Sequence, residues 1–158
     1  MLPSNAGSRW TEPKEKSQHI DGWHMARLSS IEEMLPLVKI VTGAMELLGF
    51  RENDILHVRL AMEEAVINSF KHGNRNDPSK QVSVRFEVGH EQVLVEVEDQ
   101  GQGFDPSQVP DPTTPENLKR SSGRGILMMR TFMTWIRFSE RGNCVTLCKC
   151  PSAALSTV

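Results

Sequence analysis

A chain of 158 residues with 38% hydrophobic and 24% charged residues is long enough to bury one core and has the make-up of an ordinary globular domain. A formal net charge of −2 argues against the concentrated basic surface that phosphate-backbone binding needs, so no nucleic-acid partner is expected. No apolar run approaches the roughly 18–20 residues that cross a bilayer, and MLPSNAGSRWTEPKEKSQ lacks a signal-peptide core, so no membrane partner and a cytoplasmic location are expected.

Residues 1–22 are rich in Ser, Pro, Lys and Glu without apolar period and read as a flexible N-terminal arm, with Trp10 within it and Trp23 at its end as the large apolar groups. The folded domain is expected over 23–150, and 151–158 reads as a C-terminal tail. In SSIEEMLPLVKIVTGAMELLGF, Ser29 with Glu32, or Ser30 with Glu33, makes a capping box. Leu35, Val38, Thr42, Met45 and Leu48 then recur at helical spacing up to Gly49. Pro36 implies either an irregular first turn or a later start. Asn53 or Asp54 can cap a second helix running to about His72, with Gly73 as its stop and NRNDPSK as a loop.

Val82, Val84, Phe86 and Val88 alternate, as do Val93, Val95 and Val97, which predicts a hairpin connected through GHEQ. The polar segment DQGQGFDPSQVPDPTTPENLKRSSGRG carries four prolines, and a loop of about 20 residues in a compact domain is usually functional or disordered. GILMMRTFM reads as a third helix, and WIRFSERGNCVTLCK as a second hairpin turning at Arg141-Gly142-Asn143. This order predicts an α+β fold, a two-layer sandwich of a mostly antiparallel sheet with helices on one face. Cys144, Cys148 and Cys150 would share one strand face and read as small buried hydrophobes, since neither a disulfide framework nor a CxxC pair is present.

Three stretches combine chemistry with spacing. In EEAVINSFKHGN, Glu64, Asn68, Lys71 and His72 fall within about 100° of one another on a helix. They border an expected buried arc of Leu56, Leu60, Ile67 and Phe70; Glu63 falls inside that arc, where a carboxylate has no evident reason to be. Taken alone, the stripe reads sooner as a solvated face, with Glu64 and Lys71 loosely paired, than as a site. In EVEDQGQGFD, Asp99 extends the inward row Val93-Val95-Val97 by one carboxylate, and Gly101 and Gly103 leave bare backbone beside it. That arrangement suits a flat heteroaromatic ring bearing an amino group, although a tight turn capped by Asp99 has the same sequence. In SSGRGILMMR, Gly123 and Gly125 open a helix whose free N–H groups favour phosphate, with Lys119, Arg120 and Arg124 nearby. A plain helix start after a loop would look similar.

In combination, E-x-x-x-N, then D-x-G-x-G after a strand, then G-x-G opening a helix, resembles the GHKL ATP-binding superfamily, over roughly Ala26 to Lys149. EEAVINSFKHGN and GRGILMM look most like its anti-sigma regulatory factors, a family of serine/threonine-protein kinases. The resemblance implies ATP and magnesium as cofactors. It implies Asn68 as the metal ligand and Glu64 as the general base, and it selects Glu64 over Glu63. Asp99 would accept from the adenine amino group, with Gly101 and Gly103 shaping the pocket, Phe104 to Ser122 as a lid, and Gly123, Arg124, Gly125 and Ile126 around the phosphates. Lys71 and His72 would line the phosphate side.

The partners implied are a sigma factor or similar transcription regulator and a small antagonist protein as substrate, with a homodimer as the assembly. One departure stands out: the family usually has Gly-Thr in the last hairpin, where this chain has Gly142-Asn143. The alternative function is an ATP-gated protein-binding module without significant turnover, since the nucleotide contacts would be the same.

Overall fold

The computed structural model describes residues 22–108 and 124–153. Its strands are β1 (His24–Leu28), β2 (Val82–Val88), β3 (Val93–Glu98), β4 (Trp135–Phe138) and β5 (Cys144–Lys149). They form one sheet in the order β1-β2-β3-β5-β4, and every pairing is antiparallel. The helices are α1 (Met34–Leu47), α2 (Glu52–Asn68) and α3 (Arg124–Phe132). The α+β sandwich expected from the order of elements is the architecture observed. Among the described residues no helix is long and apolar enough to cross a membrane.

Alternation in β2 and β3 builds the inner face of the sheet. Val84 stands beside Val97, Phe86 beside Val95 and Val88 beside Val93, and Leu147 and Val145 of β5 continue those rows. All of these side chains join one core with Val41 and Met45 of α1 and Val58, Met62 and Val66 of α2. The opposite face carries cross-strand polar pairs such as Arg85 and Glu96, 3.5 Å apart. Cys144, Cys148 and Leu94 are also buried there, and all three cysteines are free.

Strand β1 is absent from the sequence reading, which passes directly from the arm to the first helix. HMARL is short and largely exposed, with little alternation to detect; it becomes a strand by completing the edge of β2, with His24 stacked on Phe86 at 5.3 Å. The start of α1 also differs. A 3-10 turn at Ile31–Glu33 precedes it, which puts Pro36 in the first α-helical turn, where its missing N–H costs no bond. Neither expected capping box forms. Ser29 N–H donates to the Glu33 carboxylate at 2.9 Å, and Ser30 makes no side-chain cap.

The buried faces of both long helices are rotated from the expected ones. Met34, Leu37, Val38, Val41 and Met45 are buried in α1, while Leu35 is 53% exposed. Apolar residues on two adjacent arcs satisfy the same period, and packing against the sheet selects one. In α2 the buried row is Val58, Ala61, Met62, Ala65 and Val66, with Leu56 exposed. The alanines allow close approach, which larger side chains at those positions would prevent. Rotation of the arc accounts for Glu63, which lies outside this row and pairs with Arg59 one turn back at 3.0 Å. The helix starts at Glu52 after an extended Arg51, so neither Asn53 nor Asp54 is the cap. At its other end α2 passes into a wider π turn, Ser69–Gly73, closed by Asn74 N–H on the Ser69 carbonyl at 2.8 Å.

Candidate functional site

A cleft of about 790 Å³ lies between the C-terminal half of α2, the outgoing end of β3, the β4–β5 hairpin and the start of α3. Its apolar walls come from Val97, Val145, Phe138 and Met129. The sequence places Val97 in a core row but gives Val145, Phe138 and Met129 no part in a site; nothing in their local pattern distinguishes a cleft wall from core. Phe104, in the strand-to-loop exit, meets Phe138 edge to face at 5.3 Å.

Asp99 closes one end. It continues the inward phase of β3 and is 8% exposed. Gly101 N–H donates to its Oδ1 at 2.8 Å, and the Gly73 Cα packs against the carboxylate so closely that any Cβ there would overlap it. Burial holds the Asp99 carboxyl above the usual carboxylate range; the Gly101 hydrogen bond opposes that shift and the Glu98 charge adds to it. A carboxylate offers about four lone-pair sites, so one internal hydrogen bond leaves acceptor capacity for a ligand.

Two asparagines secure this end. Asn74, 1% exposed, donates through Nδ2 to the Gln81 carbonyl at 3.0 Å and accepts from Gln100 N–H at 2.8 Å. It ties the end of the π turn to the residue after Asp99. Sequence reasoning gave it no role; the available signal was an amide directly after the Gly73 stop. Asn143, the departure from the family pattern, donates to the Asp99 carbonyl at 3.2 Å, and its Oδ1 accepts from Ser139 Oγ at 3.3 Å. Its own carbonyl accepts from Asp99 N–H at 2.9 Å. Asn143 therefore braces the backbone of Asp99 besides lining the cleft. Gly103, at φ +82°, lets Phe104 N–H reach the Arg141 carbonyl at 3.0 Å, which joins the loop exit to the hairpin turn.

On the α2 side, Glu64 and Asn68 are half-buried and one turn apart, both facing the cleft. Gly125, at the start of α3, lies against the Glu64 carboxylate; a Cβ at 125 would overlap it. Lys71 and His72 line the cleft from the π turn and are otherwise exposed. The structure thus brings together Glu64, Asn68, Lys71, His72, Asp99, Gly103, Gly125 and Ile126. Gly101 does not line the cleft; it is buried behind Asp99, holding the carboxylate from the strand side. Arg124 lies outside the lining as the exposed first residue of α3. Gly123, Lys119, Arg120 and most of the expected lid lie outside the described residues, and so do Trp10 and most of the expected arm and tail. Among the described residues no group of three His, Cys, Asp or Glu side chains could hold a metal ion.

Residues 29–149 match the histidine kinase-like ATPase domain. The chain belongs to that family. It is similar to the anti-sigma F factor of Clostridium beijerinckii, 37% identical over 95 residues, which cover 58% of this chain and 66% of that protein. The serine-protein kinase RsbW of Bacillus velezensis is 30% identical over 125 residues, 74% of this chain and 78% of that kinase. RsbW of Bacillus subtilis is 29% identical over 103 residues, 61% and 64% of the two chains. The matched segment runs from Ser29, just after β1, to the last residue of β5, so it includes every described wall of the cleft.

Proposed function

We propose that this chain is an anti-sigma-type protein serine/threonine kinase, which binds magnesium-ATP and phosphorylates a serine or threonine of a small antagonist protein while exchanging partners with a sigma factor. The observation that carries the reading is one cleft holding Glu64 and Asn68, a helical turn apart, together with the buried acceptor Asp99. The donor set fits the ligand. An apolar slot ending in a carboxylate suits an adenine ring, whose amino group would donate to Asp99. The Asn68 amide oxygen is a neutral hard ligand, and magnesium needs few protein oxygens because it keeps water and phosphate oxygens in its shell.

When bound, ATP supplies the phosphoryl group and magnesium neutralises charge across the phosphates. The protein's part is binding, orientation and proton transfer. Glu64 accepts the proton of the attacking hydroxyl at its carboxylate. Lys71 offers positive charge and His72 a ring N–H donor at the open rim, and the first residues of α3 offer backbone N–H groups. A homodimer of the 23–150 domain in the cytoplasm completes the proposal; a concentration-independent monomer on a sizing column would remove its dimer.

The test is phosphate transfer from γ-labelled ATP to a purified antagonist protein, with wild type and Glu64→Gln side by side. Transfer should fall by about 100-fold or more in the variant, with ATP affinity held within about threefold because the substitution leaves the nucleotide contacts in place. A variant that transfers at near wild-type rate would show that Glu64 is not the base. Wild type that binds ATP and transfers nothing would be an ATP-gated binding module.

A further inference from the structure

A second polar cluster lies at the far end of the α2–α3 pair, away from the cleft. Asp54, in the first turn of α2, is 1% exposed. Its Oδ2 accepts from both N–H and Oγ of Ser152, at 2.9 and 3.0 Å. Lys149, the last residue of β5, stands 3.6 Å from Asp54 Oδ1. Its ammonium donates to the Phe132 carbonyl at 2.6 Å and approaches His57 Nδ1 at 3.1 Å. An ammonium can only donate, so Nδ1 accepts and the imidazole is neutral. The His57 ring lies flat on Phe132, with centroids 4.6 Å apart and planes 4° apart.

Each contact is placed where helix electrostatics favours it. Phe132 ends α3, so its carbonyl is one that the helix leaves unbonded, and Lys149 supplies both a donor and positive charge at that negative end. Asp54 supplies negative charge at the positive end of α2. The two helices touch again at the cleft, where Gly125 meets Glu64. The intervals match: 64 − 57 is 7 on α2 and 132 − 125 is 7 on α3, about 10.5 Å along either axis. The helices therefore run antiparallel and are pinned at two levels.

We propose that Asp54, His57 and Lys149 form a clamp that sets the register of α3 on α2 and so seats Gly125 against Glu64. They are positioning residues for the transfer proposed above, and the inference rests on that reading. The clamp is also sensitive to acid. Burial and the Lys149 charge both lower the pKa of His57 from 6.5, against the smaller pull of Asp54. The charged groups facing His57 are Lys149 from β5 and Asp54 from its own helix, while α3 presents the Phe132 ring. Protonation would set a second positive charge 3.1 Å from the Lys149 ammonium and drive the two apart, whereas an uncharged ring leaves Lys149 on the Phe132 carbonyl and Asp54. Because the folded-state pKa lies below the unfolded one, clamp stability is complete above 6.5 and is lost as pH falls below it.

The test compares full-length wild type, His57→Ala and His57→Phe. One arm measures deuterium exchange of the 124–132 amides at pH 7.5, with and without ATP. The other measures the pH profile of transfer at saturating ATP. His57→Ala should speed α3 exchange by roughly tenfold and slow transfer by roughly 10- to 100-fold, with ATP affinity within about threefold because no nucleotide contact is removed. His57→Phe keeps the stack without a titrating group, so it should transfer within about threefold of wild type at pH 7.5 and lose the acid limb below 6.5. Unchanged α3 exchange in His57→Ala overturns the clamp. So does a wild-type acid limb in His57→Phe, or a loss of thermal stability in His57→Ala with transfer untouched. If wild type transfers no phosphate, the kinase reading fails, and the exchange arm decides the clamp by itself. His57→Phe carries the test if the alanine variant does not fold.

Discussion

The two ends of α2 are built on opposite plans. At the N-terminal end the polar groups close on one another: Asp54 takes Ser152 and Lys149, and Lys149 takes Phe132 and His57. At the C-terminal end Glu64, Asn68 and Asp99 line an open cleft, and glycines stand where a Cβ would collide with the Glu64 and Asp99 carboxylates. The charges at the closed end, Asp54 and Lys149, are paired, as burial demands. Those at the open end keep acceptor capacity that a ligand can use. The Asp99 pKa records the difference, since burial raises it and a single backbone N–H only partly compensates.

Three substitutions break or sharpen this contrast. The largest effect should follow from closing the open end. Gly125→Ala places a methyl group where the Glu64 carboxylate lies, and transfer should fall about 100-fold. Circular dichroism should show a folded protein, and a wild-type rate would mean that Glu64 does not need that seat.

Next comes Asp99→Asn, which can keep the Gly101 hydrogen bond but removes the charge. Calorimetry should show ATP affinity reduced about 10- to 100-fold, the scale of a charge-assisted hydrogen bond of 1.5–3 kcal/mol. Apo stability should not fall with it. The folded pKa of Asp99 is raised, so the protonated form favours folding, and wild type loses stability as pH rises from 3.8 through that raised value. Thermal melts between pH 4 and 7 should lack this slope in the variant. A variant less stable than wild type at pH 7 would contradict the burial argument.

The smallest effect belongs to the solvent side of α2. Arg59→Ala removes an ion pair whose arginine is 57% exposed, and urea denaturation should shift by about 0.5 kcal/mol or less, with transfer unchanged.

Legibility followed the range of the contacts. Strands β2 and β3 were readable because alternation is local and both strands bury the same phase. The helices were readable in extent, yet their buried arcs were not: Val38 and Met45 satisfy either stripe in α1, and Leu56 and Val58 compete in α2. Glu63 fitted poorly in the sequence because the expected arc was wrong, and its bond to Arg59 fits the arc that forms. The candidate site was legible as residue types at motif spacing. Asn74 and Phe138 were not, because their roles depend on residues that only the fold brings near.

By itself, the sequence determined the three α-helices, the two antiparallel hairpins and a set of carboxylate, amide and glycine residues at motif spacing. Tertiary structure decided which face of each helix is dry, that HMARL completes the sheet, and that Asn143 braces Asp99 across 44 residues. It alone joined Lys149 to His57 across 92 residues and Ser152 to Asp54 across 98. The physical reason is the reach of each signal. Periodicity records the environment of a segment along its own axis, whereas a buried charge records only that a partner exists, and packing chooses which one.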